Sequence, residues 1–332
     1  MRRALILLAV LLLGVPAGAA EGPGAIRYVL RMPTPASHLF EVIVTARSED
    51  GAPVDFQMPA WSPGRYVIYD FARNVQEATA TDRDGHPLAV AKVDKQTWRV
   101  TPTGPGDVVF SYRVFADDLS GTFSQLDTRH GNVNGASVFV YVVGRKPSPV
   151  ELTVEPPTGW RVASGASVTF DQTAFAFPNY DLLIDTPIEA APDVDVRTFS
   201  VDGCEYRVVM HHLGGDRGSP ERYAADVERI VRAENAVMGV PSDMPRYTFI
   251  AHFAPGIEQG DGMEHLTSTQ LVLTAGLGDS RHYDDLLSLT AHEYFHVWNV
   301  KRLRPVELGP WDYTRENHTT SLWIAEGVTS YY

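Results

Sequence analysis

A change of period partway along the chain most constrains its fold. From Ile26 to about Pro187 the sequence is a series of short runs, "RYVLRM", "LFEVIVTAR", "DVVFSYRVFA", "SVFVYVVGR" and "PVELTVEP". They are rich in Val, Tyr and Phe, several alternate apolar with polar residues, and Pro, Gly, Asp and Ser clusters separate them. Alternation of period two buries one face of a strand, and the punctuation marks turns. No helical period of useful length occurs there, so an antiparallel β-sandwich is expected.

Near Ala190 the pattern changes. "CEYRVVMHH" reads as a strand, and "SPERYAADVERIVRAENAVMG" reads as a helix. Ser219 suits its N-cap, Pro220 its first turn, and Gly239 its stop, with Tyr223, Val227, Ile230, Val231 and Val237 forming an apolar stripe. "RYTFIAHF" and the more polar "GMEHLTSTQLVLT" read as two further strands. "YDDLLSLTAHEYFHVWNV" reads as a helix, and "ENHTTSLWIAEGVTSYY" opens another that stops without a cap. The expected organisation is an α+β multidomain chain: a β-sandwich over residues 21–188 and a mixed α/β domain over 189–332 that ends inside an element, as a truncated chain would.

Residues 1–20 stand apart: Arg2 and Arg3, an apolar run from Ala4 to Val15, then "PAGAA" with small residues at the exit. That is the pattern of a cleavable signal peptide, too short for a membrane span, and it implies a secreted or periplasmic protein with no stable span after cleavage. The single cysteine, Cys204, makes no intramolecular disulfide, so an exported chain of this kind holds together by its cores or by metal. A net charge of −13 disfavours nucleic acid as a partner.

The chemistry is concentrated in "HEYFH". His292 and His296 are four residues apart, one turn on the same helix face, where both imidazoles reach one cation. Glu293 reaches a water on that cation without being a ligand. A zinc-bound water has its pKa lowered to ~7, and a carboxylate beside it takes the proton and passes it on. Zinc needs a third ligand and an open fourth position. Glu326, thirty residues beyond His296, is the natural choice if two helices face each other; Glu307, Glu316 and His318 are its rivals. Ser330, a turn after Glu326, supports a ligand histidine or simply faces solvent.

"HEYFHVWNVKRLRP", "LWIAEGVTSYY", "MPAWSPGRYVIYDFARNVQ" and "YDLLIDTPIE" together resemble the glycyl aminopeptidase family of zinc metallopeptidases, which usually carry a C-terminal PDZ domain. The resemblance implies a β-sandwich followed by a thermolysin-like catalytic domain of the gluzincin type. It implies one Zn2+ held by His292, His296 and Glu326, with Glu293 as the base. "GDGMEH" is similar to the Gly-x-Met-Glu-Asn strand of related aminopeptidases, which assigns Gly262, Met263 and Glu264 to substrate binding. Glu264 would hold the free α-amine of a peptide, and the strand backbone would pair with the substrate. His265 departs from that pattern, standing where the family has Asn. The oxyanion-stabilising tyrosine of related enzymes lies well beyond the third ligand, and Tyr331 and Tyr332 are too close to it to substitute.

The function expected is therefore a zinc aminopeptidase acting on peptides with a free N-terminus, with Gly or Ala first. A zinc endopeptidase of the same chemistry and a peptide-binding scaffold are the alternatives. Three other features read as structural. "WSPGRY" is first of all a packed turn of the β-domain, with contact to the active-site cleft as the alternative; "NVKRLR" complements a helix dipole; and His211 and His212 point to opposite faces of a strand and form no ligand pair.

Overall fold

A computed structural model describes residues 24–332. The expected signal peptide lies outside them. The first large sheet has six strands in the order Ala174–Phe177, Val150–Glu155, Ile26–Arg31, Leu39–Ser48, Gly106–Phe115, Val75–Asp82. All neighbours are antiparallel except Ile26–Arg31 beside Val150–Glu155, which run parallel. Along Leu39–Ser48 the side chains of Phe40, Val42, Val44 and Ala46 are buried in strict alternation, as period two requires. A four-stranded sheet containing Val54–Gln57 and Thr97–Thr101 covers that face; Phe56 stacks on Phe110 at 4.6 Å between ring centres. The two sheets close one core, a sandwich.

A third, smaller sheet orders Arg161–Ser164, Ile188–Ala191, Gly131–Val133 and Gln125–Leu126. It adjoins the second part of the chain, where Gln270 donates to the Asn132 side chain at 3.0 Å and Arg207 donates to the Ser167 carbonyl at 2.8 Å.

The second part is built on a five-stranded sheet, Asp195–Val201, Cys204–His212, Arg246–Phe253, Ser268–Leu273 and Asp261–Glu264. The three central strands are parallel and both outer ones antiparallel. The segment read as one polar strand, Gly262–Thr274, is thus a hairpin, and the turn at His265–Thr267 makes Asp261–Glu264 a sheet edge. The first helix is Pro220–Met238, capped by the Ser219 hydroxyl accepting from the Arg222 amide and stopped at Gly239 with φ 76°. Tyr223, Val227 and Val231 face the core, whereas Val237 is exposed and leaves the stripe. The second helix, Tyr283–Phe295, ends five residues sooner than its apolar pattern suggests, with His296 at its C-cap. Hydroxyl pairs join the two helices and the sheet: Tyr223 with Thr290 and Tyr206 with Tyr294, both at 2.9 Å. No helix among the described residues is long and apolar enough to cross a membrane.

One group in this core opposes folding at neutral pH. Glu234 is buried on the first helix and neither carboxyl oxygen has a hydrogen-bond partner. Burial pushes its pKa from 4.5 up to about 9. The folded state keeps a proton that the unfolded state releases above pH 4.5, so stability falls as pH rises from there towards 9. Glu234→Gln is expected to stabilise the chain by about 3 kcal/mol at pH 7, and by less near pH 5. Urea unfolding of both proteins at pH 5 and pH 8 checks this; a stability gap that does not widen with pH would exclude the linkage.

Candidate active site

The helix Tyr283–Phe295 points His292 and His296 to one side, and their Nε2 atoms lie 3.2 Å apart. A second short helix, Leu322–Thr329, brings Glu326 to them: its Oε2 is 3.4 Å from His292 Nε2 and 3.7 Å from His296 Nε2. Two imidazole nitrogens and a carboxylate oxygen around a tetrahedral zinc with bonds of about 2.1 Å stand about 3.3 Å from one another. The three donors have that spacing. Glu307, Glu316 and His318 are not gathered here, and Glu316 precedes the helix rather than starting it.

The outward nitrogens are also held. His296 Nδ1 is 2.6 Å from the Asn299 carbonyl, which accepts its proton and leaves Nε2 with a free lone pair. Ser330 Oγ is 3.3 Å from His292 Nδ1, so this serine supports the ring from its outer side. Asn299, which the sequence reading passed over, joins the two helices. Its side-chain amide donates to the carbonyls of Ile324 (2.9 Å) and Ala325 (3.1 Å) and to Thr329 Oγ1 (3.0 Å).

Glu293 is buried next to His292. Burial, and then the Glu264 carboxylate nearby, push it well above the ordinary carboxylate range. Its carboxylate lies against the edge strand so closely that a Cβ on Gly262 would stand 2.1 Å from Oε1. Glycine at 262 is therefore a steric requirement of Glu293. Donor atoms of Glu264, Glu293 and His296 all lie within 4.8 Å of one another. The Met263 side chain is buried against Gly64 and Gly121 and packs the strand, which leaves only its backbone at the sheet edge.

The edge strand is fixed at both ends by the β-domain. Arg65 donates to both Asp261 oxygens, at 2.5 and 2.6 Å, and to the Gly262 carbonyl at 3.1 Å; the Gly121 amide adds a bond to Asp261 at 2.8 Å. At the other end Asp185 accepts from the Leu266 amide (3.0 Å), His265 Nδ1 (3.1 Å) and Lys301 Nζ (2.8 Å). Burial alone would raise the Asp185 pKa, but Lys301 and His265 outweigh it and hold the group at about 2. His265 is thus a buried clamp residue.

Two segments with structural readings take further roles here. "WSPGRY" packs Trp61 in the core, but Gly64, Arg65 and Tyr66 form a wall of the cleft. The basic run "NVKRLR" is engaged by specific partners rather than a helix dipole: Lys301 by Asp185, Arg302 by Asp243 at 3.0 Å, and Arg304 over the Trp311 ring. Together Tyr66, Gly262, Glu264, Ser288, Glu293 and Leu322 line an open cleft of about 640 Å³ over the His292, His296 and Glu326 donors. Tyr331 and Tyr332 do not line it; Tyr332 stacks on Phe295.

Because Glu293 occupies the space of a Gly262 side chain, Gly262→Ala is expected to destabilise the chain by ~1–3 kcal/mol and to push the strand away from the helix. Thermal unfolding and a crystal structure of the variant check it; unchanged stability with neither the strand nor the Glu293 carboxylate moved would show that the contact is not tight.

A family model described as the peptidase M61 N-terminal domain matches residues 27–192, half of the chain, and one described as M61 glycyl aminopeptidase matches residues 285–332. No curated protein matches. Among solved structures the chain is similar to an aminopeptidase N family protein from Idiomarina loihiensis, with 29% identity and a TM-score of 0.84 over 92% of this chain and 53% of that one. It is also matched by an M1 zinc metallopeptidase from Deinococcus radiodurans, at 15% identity and a TM-score of 0.49, over 82% of this chain and 63% of that one. The chain thus spans about half the length of the Idiomarina protein. Nearly all of the β-sandwich and the whole His-Glu-x-x-His motif fall within the two matched segments, and this chain belongs to the peptidase M61 family.

Proposed function

We propose that this protein is a zinc aminopeptidase that removes one small residue, Gly or Ala, from the free N-terminus of a peptide. The observation that carries the reading is the Glu264 carboxylate held within 4.8 Å of Glu293 and of the ligand His296. The residues present fit the metal: three N/O donors at tetrahedral spacing, with His296 fixed in the tautomer that leaves its inward nitrogen unprotonated. Zinc, when bound, supplies a Lewis acid and a water whose pKa is lowered to ~7.

The chain's own residues do the rest. Glu293, with Oε2 lacking a hydrogen-bond partner, accepts a proton from the attacking water and gives it to the leaving amine. Glu264 pairs with the α-ammonium of the substrate. The span from that amine to the scissile carbonyl is one residue, and successive Cα atoms are ~3.8 Å apart, so a carboxylate this near the catalytic group admits one residue between them. The backbone of Asp261–Glu264, a sheet edge, pairs with the peptide as an added strand. Tyr66 narrows the cleft beside Glu264. Burial and the Glu264 and Glu326 carboxylates raise its phenol well above the usual range, which keeps it neutral, and its bulk supports a preference for small first residues. Export from the cytoplasm is part of the proposal and rests on the residue 1–20 pattern.

Glu293→Gln is expected to retain zinc and lower kcat by ~10³ or more; full activity with zinc bound would remove the proposed base. Glu326→Ala is expected to lower zinc content, and unchanged stoichiometry would exclude it as a ligand. Cleavage of Gly- and Ala-peptides with free and acetylated N-termini tests Glu264. Free peptides should be strongly preferred, with the preference lost in Glu264→Gln. Equal cleavage of both by the unaltered protein would instead favour an endopeptidase.

A further inference from the structure

Four metal-ligating side chains meet away from the cleft, at the seam between the third sheet and the five-stranded sheet. His130 precedes the strand Gly131–Val133 and Glu189 lies in Ile188–Ala191, both in the third sheet. His211 and His252 are register partners on parallel neighbours of the other sheet. All four are buried, at most 4% exposed, and their donor atoms lie within 4.8 Å of one another. Glu189 Oε1 is 3.0 Å from His130 Nδ1 and 2.8 Å from His211 Nδ1, and Oε2 is 2.9 Å from His252 Nε2.

The outward nitrogens indicate what the inward ones carry. His252 Nδ1 faces the Leu271 carbonyl at 3.3 Å, an acceptor only, so the proton belongs there. His130 Nε2 faces Gln125 Oε1 at 2.9 Å. In their neutral forms both rings then turn lone pairs towards a carboxylate. His211 Nδ1 is 2.8 Å from Glu189 Oε1, a third buried nitrogen aimed at the same carboxylate. Protonating the inward nitrogens as well as the outward ones would place imidazolium rings 5.8 Å apart in the interior. A divalent cation satisfies the inward nitrogens of all three rings and the carboxylate at once. Asn132 donates to Glu189 Oε2 at 3.3 Å, an outer contact of the kind that orients a ligating carboxylate.

We propose that His130, Glu189, His211 and His252 form a second, structural zinc site that joins the β-domain to the catalytic sheet. Imidazole and carboxylate donors suit zinc, and four protein ligands without an open position make a closed site. Tetrahedral coordination spreads the nitrogen–oxygen separations by about 0.4 Å. With no disulfide possible in a chain with one cysteine, such a staple ties the two parts where their sheets meet.

The test is metal stoichiometry by mass spectrometry on the purified protein after dialysis in chelator-treated buffer, with zinc as the probe. Two zinc per chain are expected, one in His252→Gln or Glu189→Gln, one in Glu326→Ala, and none when changes at both sites are combined. One zinc per chain in the unaltered protein, unchanged by His252→Gln, would overturn the site. Should the cluster variants not fold, anomalous diffraction at the zinc edge from crystals of the unaltered protein decides. A peak among these four side chains supports the proposal, and density only at His292, His296 and Glu326 refutes it. The peaks are read separately, so loss of the cleft zinc alone would refute the proposed function and leave this site standing.

Discussion

The cleft depends on how the short edge strand Asp261–Glu264 is held. A four-residue strand at a sheet edge has hydrogen bonds on one side only and would fray if unsupported. Here the β-domain grips both ends, Arg65 and Gly121 on Asp261, and Asp185 on the Leu266 amide and His265. The Arg65 contact is charge-assisted and only partly exposed, where such bonds are stronger than at an open surface. Its effect is to press Gly262 against Glu293 and to set Glu264 beside His296. The catalytic sheet supplies the strand, and the other domain supplies its position.

The helical side of the cleft is organised by Asn299. Thirty residues separate His296 from Glu326, and a short helix on a long connection has no reason of its own to stop at a given rotation. One asparagine amide fixes it by donating to two carbonyls and a hydroxyl of Leu322–Thr329, while the Asn299 carbonyl holds His296 Nδ1. The same residue therefore sets the third donor's approach and the tautomer of the second. Behind this layer Tyr294, adjacent to Glu293, bonds to Tyr206 and Asn235, which anchors the helix to the sheet and to the first helix.

Much of this was legible in residue order. The period-two runs of the first half required a packed β-structure, and the Ser219, Pro220 and Gly239 signals bounded a helix to the residue. His292 and His296 had to share a helix face. What escaped was whatever depends on the angle between segments. Gly262–Thr274 reads as one strand because nothing at His265–Thr267 is a strong turn residue; Asp185, far away in sequence, stabilises that turn. Val237 matches the apolar stripe by spacing but lies at its edge and is exposed, while Asn235 and Met238 on either side turn towards the core.

The histidines draw the same division. His292 and His296 announce themselves because a helix places i and i+4 together by its own hydrogen bonding, so local sequence determines their meeting. His130, His211 and His252 carry no such spacing, and His211 beside His212 reads as unremarkable in a strand that alternates faces. Sheet register sets His211 beside His252, and the docking of a second sheet brings Glu189 and His130 to them. The sequence by itself determined the two domain types and the helix that sets His292 and His296 on one face with Glu293 beside them, since short-range geometry is enough for each. The family resemblance named Glu326 and the Gly262–Glu264 segment, but only the tertiary structure decided how they are brought to the two histidines and that four distant side chains share one buried point, because those depend on packing between segments whose relative placement no local period encodes.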